Sequence, residues 1–276
     1  MAVTPPPSSA FSASGADALS ASSAESLRSG SFDTAAAQYA DSRPSYPSVL
    51  LDALEECSGR PLAGAQIVDV GAGTGIATAL LRGRGAHVLA VEPGERMAAE
   101  LRRRVPGVPV VRGNGNALPI AGASVDFVTY AQAWHWTDPA RAVPEAWRVL
   151  RSGGALAMWW NEDALDVPWI AAQKDRVARH FGSAPSPRPR DEAGRLRAAF
   201  KGLKSTPPYA HRQLRWSRTV SVDKHLTNIG SHSIFLVNGD HARTFLTEER
   251  ARLLSLFPEG QVEEVYDVLL IVALRP

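Results

Sequence analysis

The chain is poor in cysteine, in charge of either sign to excess, and in long apolar runs. Its single cysteine, Cys57, excludes an internal disulfide and a cysteine-rich zinc site and fits a reducing compartment; no metal centre is expected. Thirty Lys and Arg face 28 Asp and Glu, a net charge of +2, so no global field draws the chain to nucleic acid. No apolar run approaches the roughly 20 residues that span a bilayer. The first thirty residues are rich in Ala, Ser and Pro, with Arg28 their only basic residue, and lack the basic start and apolar centre of a secretory signal. A soluble cytoplasmic protein is expected, with residues 1–30 as a flexible or weakly helical extension. A weak helix from Ala16 to Leu27, docked on another subunit, would be the route to a homo-oligomer.

Apolar residues make up 45% of the 276, enough for the core of one large α/β domain. Its most informative stretch is Ile67-Val68-Asp69-Val70-Gly71-Ala72-Gly73-Thr74-Gly75, an apolar run that breaks into alternating glycines before a helical pattern from Ile76 to Leu81. This reads as strand, tight turn, helix, a place where bare backbone approaches a ligand. A dinucleotide fingerprint places glycines first, third and sixth. Here they stand first, third and fifth, and Ile76 is sixth. The next apolar run, Val88 to Val91, ends in Glu92, where a carboxylate can accept two ribose hydroxyls.

The loop from Asp69 to Gly75 together with Glu92 resembles the class I S-adenosylmethionine (SAM) dependent methyltransferases. The resemblance implies SAM as cofactor, with Asp69, Gly71, Ala72, Gly73, Gly75 and Glu92 around it. Gly113-Asn114-Gly115-Asn116-Ala117-Leu118-Pro119 stands where that family usually has Gly-Asp-Ala before Leu-Pro; Asn114 is the implied adenine contact, and Gly115 and Asn116 are implied cofactor contacts. An amide oxygen at Asn114 accepts a hydrogen bond as the usual Asp does, without its charge. The segment Ser31 to Pro47, with Tyr39, Arg43 and Tyr46, resembles the family's entrance segment, which folds over the cofactor and faces the acceptor. Arg43 is accordingly an implied cofactor contact, and Tyr39 and Tyr46 are candidates for catalysis or for anchoring a loop.

Strands are also expected over Val108–Arg112, Val125–Ala131, Ala155–Trp160, Arg212–Val222 and Glu264–Leu274. Helices are expected over Glu95–Val105, Asp138–Leu150, Trp169–Phe181, Asp223–Ile229 and Asp240–Phe257. The alternation resembles the family's doubly wound, seven-stranded, mostly parallel α/β sheet with an antiparallel last strand. The methyltransferase domain would run over 31–276, with 161–210 as a small helical cap.

Methyl transfer requires alignment of donor and nucleophile, exclusion of water and, for a neutral acceptor, removal of a proton. His135 lies in Gln132-Ala133-Trp134-His135-Trp136, delivered by a strand to the edge where α/β sheets bind ligands. This element resembles the Gln-aromatic-His-Trp of a subgroup that includes trans-aconitate-type enzymes. His135 is the candidate base, or else a loop-holding residue; Gln132 is an implied cofactor contact. Trp136, Trp160 and His232 are candidate acceptor contacts. The loop lacks Asn-Pro-Pro-Tyr, so nucleic-acid amines are not the expected acceptor. The basic residues Arg188, Arg190, Arg195, Arg197, Lys201, Lys204, Arg212 and Arg215 read as a solvated cap surface. A small aromatic natural product methylated on carbon or nitrogen is the leading expectation, with a phenol or carboxylate oxygen second. An RNA methyltransferase or a non-catalytic SAM-binding protein are the readings of another class.

Overall fold

The computed structural model describes residues 43–182 and 199–276. Tyr39, the N-terminal extension and Arg188 to Arg197 lie outside them. From Arg43 the chain enters α1 (Val49–Ser58), then alternates β1 (Gln66–Val70), α2 (Ile76–Gly83), β2 (His87–Val91), α3 (Glu95–Arg104), β3 (Val110–Val111) and β4 (Val125–Ala131). After α4 (Pro139–Val149) come β5 (Leu150–Asp163), α5 (Pro168–His180), β6 (Tyr209–Ser221), α6 (Val222–Gly230), α7 (Ser233–Leu236), α8 (Gly239–Leu256) and β7 (Gln261–Leu274).

The strands form one sheet in the order β3-β2-β1-β4-β5-β7-β6. Only β7 runs against the rest, pairing antiparallel with both β5 and β6. Order reverses between β1 and β4, so their carboxyl ends open a crevice, the place where such sheets bind ligands. The central strands read as unbroken apolar runs because both faces are covered. Ile67 and Phe127 face a core with Leu50, Leu54 and Leu270. Their neighbours Val68 and Val128 face the opposite one, with Val149, Met158 and Ile271. The α4 start follows its sequence signals: Asp138 accepts from the Ala140 amide and Pro139 takes the first turn, where its missing N–H is no loss.

Two differences from the expected elements position the site. β5 runs to Asp163 rather than Trp160, because β7 keeps pairing with it as far as Tyr266, after β4 has ended opposite Trp159. β6 and β7 pair over Tyr209–Ser221 and Gln261–Ala273, so a long hairpin rises beyond the carboxyl edge of the parallel strands. The helices over this hairpin come from two separate stretches. α5 lies within the 161–210 range expected for a cap, whereas α6 to α8 connect β6 to β7. Phe181 and Val177 pack with Phe235 and Phe245, and Trp169 with Leu226 and Leu253, which joins the stretches in one layer. No helix among the described residues is long and apolar enough to cross a membrane.

Candidate active site

The turn after β1 has positive φ at Gly71 (65°), Gly73 (58°) and Gly75 (88°), conformations that side chains rarely tolerate. Each glycine has a different surrounding. A Cβ on Gly71 would stand 2.5 Å from that of Ala133, so glycine lets the chain leaving β4 cross the turn. A Cβ on Gly75 would meet Leu101 at 2.9 Å and Val105 at 3.0 Å, so this glycine seats α2 against α3, and half-buried Ala72 packs on the same cluster. Of the three, Gly73 alone has no close neighbour among the described residues, its nearest such contact being 4.0 Å away. It is the position where backbone can face a ligand.

Glu92 is 7% exposed. Its Oε2 accepts from the Gly73 amide and its Oε1 from the Gly94 amide, each at 2.8 Å. Both carboxylate oxygens thus shape the turn at the end of β2. Asp69 is different: it is fully buried, with its oxygens accepting from Thr78 (2.6 Å) and Thr129 (3.0 Å). It ties β1 to α2 and β4 from within the core, which is a structural use of a residue expected beside the cofactor. Burial pushes its pKa up to about 6, against the Thr78 and Thr129 hydrogen bonds and with help from the Glu92 charge.

The loop after β3 is held from three sides. Asn114 Oδ1 accepts from the Asn116 amide (3.0 Å), and Asn116 Oδ1 from the Asp138 amide at the start of α4 (2.9 Å). Gly115 lies under Tyr130 and Thr137, where any Cβ would be within 2.9 Å of both. Asn116 and Gly115 therefore set the loop's shape, and Asn114 keeps its amide nitrogen and a second lone pair. Gln132 leaves β4 with φ 57°, a left-handed conformation uncommon outside glycine. Its amide donates to Trp159 O (2.9 Å) and its Nε2 to Asn161 O (3.0 Å).

His135 follows on a single 3₁₀ turn, Trp134–Trp136. Its ring is reached by solvent and lies 4.8 Å from that of Trp136. The protein mass around it, then the Arg43 charge, lowers its pKa and favours the neutral imidazole. The other strand-end aromatics are mostly core. Trp134 is buried and donates to Ala199 O (2.8 Å), Trp159 is buried against Tyr46 edge to face, and Trp160 is half-buried against the core. Trp136 is 38% exposed.

Between the entrance segment, the ends of β5 and β7, and helices α5 and α6 lies a pocket of about 360 Å³. Arg43, Gln132 and His232 of the expected site residues line it; His135, Tyr46, Trp136 and Trp160 do not. Arg43 also reaches the Ser231 carbonyl (3.4 Å). Asp163 and Lys174 form an ion pair on its wall (2.5 Å). Burial would raise the Asp163 pKa, but the ammonium outweighs it and holds it low.

Sequence reasoning missed Asn161, Asn228 and the pair just named. Asn161 Nδ2 donates to Ser45 O (3.0 Å) and its Oδ1 accepts from Trp216 (2.9 Å), so with Gln132 it joins the entrance segment, β4, β5 and β6. The available signal was a lone amide ending a buried apolar strand.

A reversing α/β sheet, a glycine turn at its switch point and an acid ending the next strand define a nucleoside-binding domain of the class I methyltransferase type. Comparison with known proteins agrees. Residues 68–158 match the family described as methyltransferase domain. An uncharacterized methyltransferase of Mycobacterium tuberculosis is 41% identical over 149 residues, covering 54% of this chain and 59% of its own length. The chain thus spans about three fifths of the first curated relatives it matches. A malonyl-[acyl-carrier protein] O-methyltransferase of Enterobacter lignolyticus is 29% identical over 203 residues, 71% of this chain and 76% of the relative. A solved structure from Anaeromyxobacter dehalogenans, provisionally described as a type II methyltransferase, has 26% identity and a TM-score of 0.60, covering 84% of this chain and 96% of that one. Residues 68–158 thus form a methyltransferase domain, and the fold around it is that of the class I SAM-dependent methyltransferases.

Proposed function

We propose that the protein transfers the methyl group of SAM to a small polar molecule held under the helical layer. The observation that carries this reading is Glu92. It clamps the Gly73 and Gly94 amides at the switch point, and it stands beside the loop glycine whose nearest neighbour among the described residues is 4.0 Å away. These features fit the ribose and the chain of SAM. When bound, SAM supplies a methyl carbon made electrophilic by its sulfonium.

The residues of this chain then bind, orient and exclude water. Glu92 receives the ribose hydroxyls, Asn114 the adenine amine, and the turn from Gly71 to Gly73 passes under the cofactor. Asn161 fastens the entrance segment across the site through Ser45, and α5 and α6 close the acceptor side. The pocket's wall is dominated by polar and charged side chains; Pro44, Leu165 and Ile229 are its apolar members. The tryptophans that suggested a flat aromatic acceptor are elsewhere. Transfer to oxygen or nitrogen of a polar molecule is therefore preferred here to transfer to a ring carbon.

Calorimetry on the full chain tests the cofactor half: SAM binds the native protein, and Glu92→Ala weakens it at least tenfold, as loss of charge-assisted hydrogen bonds requires. Isotope-labelled SAM with a metabolite extract, followed by mass spectrometry, then finds the labelled product. A native protein that does not bind SAM overturns the proposal.

A further inference from the structure

Two groups in the pocket can accept hydrogen bonds and have no donor among the described residues. Asn228 on α6 is 4% exposed. Its Nδ2 donates to Glu264 Oε1 (3.2 Å) and to the Tyr266 hydroxyl (3.1 Å), while Oδ1 has no partner among the described residues. The amide cannot be reversed, because that would turn its oxygen onto the Glu264 carboxylate. A buried acceptor left without a donor is costly, so such a group is a mark of an absent ligand. His232, at the start of α7, lines the same pocket, and its ring makes no hydrogen bond among the described residues.

We propose that His232 takes the proton of the incoming nucleophile while Asn228 Oδ1 receives a second donor on the same molecule, which makes the acceptor a small hydroxy or amino compound with two O–H or N–H groups. This rests on the methyl-transfer reading above. The groups facing His232 are Arg43 from the entrance segment, Lys174 from α5, Asp163 from β5 and His225 from α6. Burial first, then Arg43 and Lys174, keep the ring well below its usual value, against the pull of Asp163. It is neutral near pH 7, with one ring nitrogen able to accept. The nucleophile's lone pair forms the bond to the methyl carbon, the carbon–sulfur bond breaks onto sulfur, and the displaced O–H or N–H proton passes to His232 before release to water. His135 is less suited, since it is open to solvent and outside this pocket's lining. A carboxylate acceptor brings neither donor and would set its oxygens against Asn228 Oδ1.

Catechol and 2-aminophenol, compared with benzoate, test this on the full chain. Calorimetry is expected to show both donors binding and benzoate at least tenfold weaker. His232→Gln, which has no ring hydrogen bond to lose on folding, is expected to reduce catechol affinity several-fold, and Asn228→Ala about tenfold. With SAM present, His232→Gln lowers kcat/KM for catechol about 10²-fold and removes the rising limb of its pH profile. Benzoate binding as well as the two donors, no binding of either donor, or an unchanged affinity and pH profile in His232→Gln overturns the inference, as does transfer of the pH-dependent loss to His135→Gln. In each of these cases retained SAM binding leaves the methyl-transfer reading standing; loss of SAM binding by the native chain removes both.

Discussion

At Asp69 the fold holds a carboxylate in a place that favours its protonated form. Its pKa of about 6 lies above the ordinary unfolded value of roughly 3.9, so the folded state takes up the proton first. The contribution to stability is then fully present below about pH 4 and is lost as pH rises through 6, at most about 3 kcal/mol. Asp69→Asn removes this titration. Urea midpoints measured from pH 5 to 7 are expected to fall in the native protein relative to the variant; parallel curves would contradict it. The same residue marks what the sequence could convey. An acid two residues before a glycine turn looks like a ligand-holding group, and only its direction shows that its oxygens are taken up by Thr78 and Thr129. That Glu92 faces the turn was legible because it ends its strand, where a side chain has little choice of direction.

Among the elements, apolar runs and turn residues were enough to place the parallel strands, since a strand buried on both faces has no other composition available. What local pattern could not show was length set by remote pairing: β5 continues through Asn161, Glu162 and Asp163 because β7 pairs with them, and polar residues there look like a loop. Expected contacts to the entrance segment and His232 depended on such pairing, and the Asn228 site was invisible because the amide is placed by Glu264 and Tyr266, 36 and 38 residues away. The α2–α3 junction offers a test at this scale. Gly75→Ala combines a φ of 88° with a Cβ 2.9 Å from Leu101, and is expected to cost about 2–4 kcal/mol in denaturant unfolding. Gly59→Ala, with a φ of 64° and no atom within 4 Å among the described residues, is expected to cost only about 1–2 kcal/mol. Equal losses would mean that backbone strain alone, not helix packing, requires glycine at 75.

On the scale of the whole molecule, the helical layer is fixed to the sheet through buried charge. Glu264 on β7 receives His225 (2.7 Å) and Arg218 (2.6 Å), and His225 in turn contacts Gln173 on α5 (2.9 Å). Burial would raise the Glu264 pKa, but the His225 bond and charge and then Arg218 bring it to about 2. A depressed acid stabilises above its unfolded value of roughly 4.3, and that contribution is lost as pH falls toward 2. Hydrogen exchange in α5 and α6 is therefore expected to accelerate between pH 4 and 2.5 more than in α2, after correction for intrinsic rates. Glu264→Gln should show the faster exchange already at pH 6. Uniform behaviour across the helices would show that this network does not hold the layer.

β7 lies between β5 and β6 although it follows both in the chain, and this has a consequence in time. While the polypeptide is being synthesised, β6 has no neighbour and the two helical stretches have no common support until residues 261–274 have been made. The glycine turn and Glu92 can take shape early, from contacts close in sequence. The pocket beside them comes last, so a nascent chain can form the glycine turn before it has anything to enclose that pocket.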